Sequence, residues 1–408
     1  MKILVLSLSF YPDHSGIAVY SGDFAFYAAQ QGHEVEVITG YPFYPKWEKR
    51  KEDKRKLFST DNVNGVKILR GYIYVPKKPT TFKRVFQEFT FLVSGAINYI
   101  RAQKPDVIVA FTTPITLGYL TAIFKRISGN KLVINVQDFQ LEAARSLDMT
   151  SKSFLFDSLE KLEKLSYKRA NMVSSISQSM IDLLANNKNL PQDKIYLWPN
   201  WIDLKKYHIE ETRKGNFKRE HQVADGKSVV AYAGNIGLKQ GLETFIDVAN
   251  AFKNNDKIQF FMIGGGAGIQ ALKEYAANFD IPNLTFLPLL NHEQYLDFLA
   301  DLDVFFLSQK KTNFDIYFPS KLLGLMATKK LLLLSADKDS ELYKTISQNK
   351  IGLVSEFGDI DLTVSLLKDA IENKDHAKEI SDAAEKYTMK FDREYVLKNV
   401  LQEITKLK

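Results

Sequence analysis

Ser228-Val229-Val230-Ala231-Tyr232-Ala233-Gly234-Asn235-Ile236-Gly237-Leu238-Lys239-Gln240-Gly241 is an apolar run of strand length that breaks into a glycine-rich turn, and the helical pattern Leu242–Phe252 comes directly after it. Glycines at a strand-to-helix turn let backbone N–H groups approach a phosphate, and the helix start adds positive potential there. Lys239 would add a formal charge to that cradle. The same glycines equally suit a tight bend that needs positive φ, and spacing alone leaves both readings open.

Working outward, Ile258–Ile263, Leu284–Leu287, Val304–Leu307 and Leu331–Leu334 are further strands, each separated by a segment of helix length. The first half carries the same alternation: Ile3–Leu8, a helix over Ser21–Gln31, then Glu34–Thr39, Asp106–Phe111 and Lys131–Val136. Such alternation predicts parallel βαβ units. Around Lys194–Asp203 the pattern changes, and a polar stretch from Lys205 to Lys227 marks a linker. The expectation is α/β: two Rossmann-like, doubly wound domains facing a central cleft, one over residues 1–203 and one over 204–387, with a C-terminal helix over about 388–408 packing back on the first. A chain of 408 residues is long enough for two separate cores.

Composition excludes several classes. There is no cysteine, so disulfides, thiol nucleophiles and zinc–cysteine sites are ruled out, and a reducing, cytoplasmic setting is expected. The opening apolar run leads into Tyr11-Pro12-Asp13, unlike a signal peptide, and reads as a buried strand. Phe89 to Ile100 is too short and too interrupted for a membrane span. The net charge of +7 suits an anionic partner. It is local: Lys46–Lys56, Lys77-Lys78 and Lys83-Arg84 lie amid Phe82, Phe86, Phe89 and Phe91, which suits peripheral contact with an anionic membrane or, equally, a solvated face over core aromatics.

Other segments carry candidate chemistry. Ile263-Gly264-Gly265-Gly266-Ala267-Gly268 comes after a strand and precedes a helix, but the acidic residue expected about 20 positions on to hold a ribose has no convincing candidate on a following strand end. It reads as a close-packed turn whose Gly264 and Gly265 line a nucleotide pocket. Phe318-Pro319-Ser320-Lys321-Leu322 opens an apolar helix, either facing a ligand at the strand ends or simply capping a core helix. In the first half, Gly16 comes after the first strand where backbone could approach a sugar or phosphate. Asp138 and Glu142 lie just past the strand Lys131–Val136, at the carboxyl end where open α/β sheets place ligands. Either could take a proton from an acceptor hydroxyl or orient it; a helix-capping Asp with a solvated Glu is the plain alternative.

In their order along the chain these segments resemble the family 4 retaining glycosyltransferases, whose fold is called GT-B. Met1–Gly22 with Gly32-His33-Glu34-Val35 is similar to that family's first strand, glycine loop and subsequent turn, and Pro199-Asn200-Trp201-Ile202-Asp203 to its interdomain element, with Trp201 in place of a glycine. Tyr41-Pro42-Phe43-Tyr44-Pro45 and Val75-Pro76-Lys77-Lys78-Pro79 resemble a subgroup adding fucose- or N-acetylfucosamine-type sugars to surface polysaccharides. The resemblance implies donor contacts from Gly16, Ile17, Asn235, Gly237, Lys239, Gly264, Gly265, Pro288, Ser320, Lys321 and Leu322, and catalytic roles for Asp138, Glu142 and Lys239. It departs at two points. The family's paired glutamates are missing, their slots falling at Ile316, beside Asp315, and at Gly324, so that ribose would fall to Glu293, Asp315 or backbone. The usual arginine of the phosphate loop is Asn235.

The activity implied by the resemblance is transfer of a sugar, with retention, from a nucleotide-sugar donor, UDP favoured over GDP, to a saccharide or lipid-linked oligosaccharide acceptor in surface polysaccharide biosynthesis. No cofactor and no metal are expected, since no Asp-x-Asp stands in a suitable loop. Nucleic acid is not expected as a partner. The alternatives are a GT-B sugar-nucleotide epimerase and a non-catalytic nucleotide-sugar-binding module.

Overall fold

The structure is a computed structural model that describes residues 1–14, 16–44, 46–78, 80–112, 114–142, 154–237, 240–310 and 320–407, with the side chains at 81, 154, 155, 320 and 321 left out of the description. It divides into two units, Met1–Asn200 with Val396–Lys408, and Trp201–Tyr395.

The first unit is built on an eight-stranded sheet in the order β3-β4-β2-β1-β5-β6-β7-β8. Its strands are β1 Lys2–Leu6, β2 Glu34–Gly40, β3 Phe58–Val63, β4 Val66–Gly71, β5 Val107–Thr112, β6 Lys131–Val136, β7 Met172–Ser175 and β8 Ile195–Leu197. Every pair is parallel except β3 with β4, a hairpin at the edge turned by Asn64 and Gly65, both at positive φ. The sequence pattern does not announce that hairpin, because four consecutive polar residues, Ser59, Thr60, Asp61 and Asn62, separate Phe58 from Val63 and leave no apolar period of two. The central strands are apolar on both faces because helices cover both: β5 is buried at every position. Phe24, from the helix Ile17–Gln30, meets Phe111 and Trp198 at ring separations of 6.1 and 5.2 Å, which pins the helix over the middle of the sheet. That helix starts four residues earlier than its apolar periodicity suggests, since Gly16 alone supplies the φ of 60° that turns the chain into it.

The second unit holds a six-stranded parallel sheet in the order β11-β10-β9-β12-β13-β14. Its strands are β9 Ser228–Asn235, β10 Ile258–Gly265, β11 Leu284–Leu287, β12 Val304–Gln309, β13 Leu331–Ala336 and β14 Leu353–Glu356. Strict alternation splits each strand between two apolar layers. Val229, Ala231, Phe261 and Ile263 pack on one face, with Phe298 and Leu334, while Val230, Tyr232, Phe260 and Met262 pack on the other, with Phe245 and Leu333. The helix Arg393–Lys406 begins in this unit, and from Val396 onward it belongs to the first. Its Val396, Leu397, Val400, Leu401 and Ile404 are buried at helical spacing.

Each sheet reverses its strand order once, between β1 and β5 in the first unit and between β9 and β12 in the second. At such a reversal the connecting helices leave on opposite faces, and a crevice opens beyond the carboxyl ends of the two strands.

Candidate active site

In the second unit the reversal places the end of β9 beside the end of β12. Beyond β9 the chain folds onto the turn after β10: Ile236 donates its N–H to Gly265 O at 2.9 Å, and Gly268 donates to Ile236 O at 2.9 Å. This lacing explains two of the glycines. A Cβ at Gly264, where φ is 134°, would lie 1.9 Å from Gly234 O, and one at Gly266, φ 150°, would lie 2.4 Å from Ile236 O. Both are backbone contacts that cannot give way. The Gly264 turn is therefore close-packed, as its sequence suggests, while Gly265 is exposed with open space where a side chain would stand.

Asn235 is exposed at the end of β9, and a Cβ at Gly237 would come within 2.7 Å of Gln240 Oε1, the end of a side chain that could shift. That oxygen is buried and has no hydrogen-bond partner among the described residues. Leu238 and Lys239 lie outside the described residues, so the cation assigned to the diphosphate is not placed. A different cation is. Lys310, the residue after β12, reaches Glu243 Oε1 at 3.5 Å in the first turn of the helix Glu243–Ala251. Its stem lies against Gly241, where a Cβ would meet Lys310 Cγ at 2.9 Å. Gly241, at φ 63°, is held by Ser308 Oγ donating to its carbonyl at 3.0 Å. A charged residue directly after Val304–Gln309 is the available sign of Lys310, since strand ends at a reversal carry function.

The helix Ser320–Ala327 presents its N-terminus after β12. Side chains of Ser320 and Lys321 fall outside the description, as does Asp315, and the side chain of Leu322 is buried in the apolar layer, which leaves only its backbone for a ligand. Pro288 is exposed at the end of β11, whose Leu287 pairs with Ile263 beside the Gly264 turn. Glu293, offered for the ribose, is held by Arg213 Nη2 at 2.6 Å. Gly324 has a steric cause: a Cβ there would sit 2.3 Å from the ring of Tyr207, so the ring fills the space that a larger residue at this helix position would need.

In the first unit Gly16 is exposed and open, and the first-turn amides it leads into, starting at the half-buried Ile17, have no side-chain cap. The loop before it is fixed from outside. Arg70, buried, donates to Tyr11 O at 2.8 Å, and Asp13 accepts from the N–H groups of Phe43 and Tyr44 at 3.4 and 3.5 Å. Burial raises the Asp13 carboxyl above its ordinary range, against those amides and Arg70. Asp13 stands in plain view in the sequence, but its burial depends on a loop 30 residues away.

Asp138 and Glu142 separate in character. Asp138 reaches solvent just beyond β6; desolvation by the protein around it raises its pKa, the Phe139 N–H opposes this and the charge of Glu142 adds to it. A raised carboxylate pKa makes a better proton acceptor near neutrality. Glu142 instead is buried and paired with Lys188, which also holds Glu163 at 2.5 Å, while Tyr167 donates to Glu163 at 3.1 Å. Burial works against charge on Lys188, but the two carboxylates outweigh it and keep the amine protonated. Glu142 is thus neither solvated nor a simple cap, and its Oε2 is buried with no hydrogen-bond partner among the described residues. Beneath Asp138, Gln137 donates to Asn135 Oδ1 at 2.5 Å and Asn135 to Ser174 Oγ at 3.1 Å, a polar ladder that stiffens the ends of β6 and β7. Among the described residues no cluster of three or more His, Asp or Glu side chains is arranged to hold a metal ion.

Two doubly wound sheets in one chain, parallel but for the edge hairpin of the first, the second with a glycine turn and a lysine at its strand reversal, are the architecture of the GT-B class of glycosyltransferases. The sequence matches the profile of Glycosyltransferase Family 4 over residues 14–206 and that of Glycosyl transferases group 1 over 213–387. The chain belongs to the family 4 glycosyltransferases and is a glycosyltransferase enzyme. It is 27% identical, over 99% of its length and 100% of the relative's, to the putative colanic acid biosynthesis glycosyl transferase WcaI of Escherichia coli. Among solved structures, HepE of Anabaena in complex with UDP superposes with a TM-score of 0.70 at 14% identity, covering 100% of both chains. WaaG, a glycosyltransferase involved in lipopolysaccharide biosynthesis, superposes with a TM-score of 0.64 at 13% identity over 99% of both.

Proposed function

We propose that the second unit binds a nucleoside-diphosphate sugar, UDP in preference to GDP, and that the sugar passes with retention to a saccharide hydroxyl held by the first unit, in the assembly of a lipid-linked surface polysaccharide at the cytoplasmic face of the membrane. The observation that carries this reading is the strand reversal between β9 and β12, where the glycine turn, the start of the helix Glu243–Ala251 and Lys310, paired at 3.5 Å with Glu243, come together. Lys239 and Lys321 are proposed to join Lys310 on the diphosphate. As the bond from the anomeric carbon to the diphosphate oxygen breaks, these cations take up the developing charge without a divalent metal. The new bond forms to the acceptor oxygen, and Asp138 orients the hydroxyl and receives its proton. Glu142 acts through its ion pair with Lys188, keeping the strand end beneath Asp138 in place. The name of the Escherichia coli relative, a colanic acid enzyme, and the UDP held by HepE support the choice of pathway class and base.

The test is direct. Thermal shift against UDP, GDP and their sugars should show stabilisation by UDP unaffected by EDTA, and nuclear magnetic resonance of the product made from a matching UDP-sugar should show the donor's anomeric configuration. Stabilisation by no nucleoside diphosphate removes the reading, and an inverted product removes the retaining mechanism.

A further inference from the structure

The helix Thr81–Arg101 is built inside out. Phe82, Phe86, Phe89, Val93, Ile97 and Ile100 recur at spacings of three and four, the mark of a core-facing stripe, yet all six are exposed, Phe82 by 81%, Phe89 by 59% and Ile100 by 85%. The opposite face carries the buried polar residues Gln87, Ser94 and Asn98. Two of them are used up against the sheet: Ser94 Oγ donates to Tyr72 O at 2.8 Å and Asn98 Nδ2 to Leu69 O at 3.2 Å, while Gln87 Nε2 is buried with no hydrogen-bond partner among the described residues. Gly71 permits the close approach, since a Cβ there would meet Ser94 Oγ at 2.5 Å. The orientation is therefore fixed by hydrogen bonds and leaves an apolar stripe about 27 Å long, at 1.5 Å per residue, facing outward. Contiguous exposed apolar surface of this size marks an interaction site.

We propose that this stripe lies in the surface of an anionic lipid bilayer, with the helix axis parallel to the membrane and the flanking lysines and arginines on the headgroups. The charge around it selects the partner. Lys77, Lys78, Lys83 and Arg84 are exposed at one end of the stripe, and Arg101 and Lys104 at the other. The basic loop Lys46–Lys56 is bound to the same end, with Arg84 5.2 Å over the ring of Trp47 and Lys49 4.1 Å over that of Tyr72. Glu88 is the helix's sole acid and lies off the stripe, half-buried. A second copy docked through this face would oppose basic ends to basic ends in either helix orientation, which is unfavourable; anionic lipid satisfies both the stripe and its ends. No helix among the described residues is long and apolar enough to cross a membrane, so the helix lies on the bilayer and does not span it.

Membrane docking stands apart from the donor chemistry and is tested apart from it. The full chain is floated with vesicles of phosphatidylcholine carrying about 30% phosphatidylglycerol, and with phosphatidylcholine alone, at roughly 50 mM and 500 mM salt. Binding to the anionic vesicles at low salt is expected, with weaker binding in the other arms. Phe82→Asn/Phe89→Asn/Ile100→Asn, all at exposed positions, should lower vesicle affinity about a hundredfold or more, with the thermal shift by UDP retained as the check on folding. Phe89→Trp should add a blue-shifted emission component only with anionic vesicles, a readout independent of the triple variant. Failure of the unaltered chain to float, equal flotation of the triple variant, or no blue shift overturns the proposal. So does a dimer in sedimentation velocity that the triple variant abolishes while vesicles bind neither protein, which assigns the face to a second copy.

Discussion

Replacing Lys188 by Met removes the one cation that the described residues supply to a buried cluster and leaves Glu142 and Glu163 without it. In the intact chain the amine contacts both carboxylates, Glu163 at 2.5 Å, and all three residues are buried. Breaking such a group from the cation side costs about 3 to 5 kcal/mol, because the remaining charges lose their partner but not their desolvation. Burial already raises the Glu163 carboxyl in the intact chain against the pull of Lys188, and without the amine it holds its proton more strongly, so its folded-state pKa in the variant lies further above the unfolded one. The variant is then closest to the parent below pH about 4 and falls further behind as pH rises toward neutrality. The assay is hydrogen exchange of the β6 and β7 amides together with urea unfolding at pH 5 and pH 7, since two units make a single whole-chain transition unsafe to interpret. Lys188→Met/Glu163→Gln should recover at least half of the loss at pH 7. A loss below about 1 kcal/mol, or a defect that shrinks as pH rises, refutes the reasoning.

Lys310→Ala should lower kcat/KM for the donor by about ten- to a hundredfold through lost stabilisation of the leaving diphosphate, while the melting temperature barely moves, because its half-exposed pair with Glu243 contributes little; steady-state kinetics with calorimetry checks both. Asp138→Asn should reduce transfer to an acceptor by roughly a hundredfold with donor affinity unchanged, and remove the acidic limb from the pH–rate profile. Burial pushes Glu88 up to about 7 against the neighbouring Arg84, so its neutral form is favoured in the folded chain. That contribution is complete below the ordinary glutamate pKa of 4.5 and is lost as pH rises through about 7; Glu88→Gln should flatten this fall, which is at most about 3 kcal/mol, in urea titrations across the range.

The alternation of apolar runs with helical periods is local information, and it is enough to mark β1, β2, β5, β6 and β9 to β13 and to divide the chain between two doubly wound halves. The glycine turn at Gly234–Gly241 is also legible, because a strand that breaks into glycines before a helix has few other conformations open to it. What the pattern does not carry is anything decided by a distant partner. Gly264 and Gly266 are required because two loops from different strands touch through their backbones; Gly324 is required because Tyr207 packs on it; Glu142 is held by Lys188 from a later helix end. The helix Thr81–Arg101 is the sharpest case. Its apolar spacing predicts a stripe but says nothing of which way it faces, and hydrogen bonds from Ser94 and Asn98 to strand carbonyls turn the polar face to the sheet. Periodicity fixes which residues share a face, since that is set by the geometry of one element; which face is buried depends on what the rest of the fold offers it.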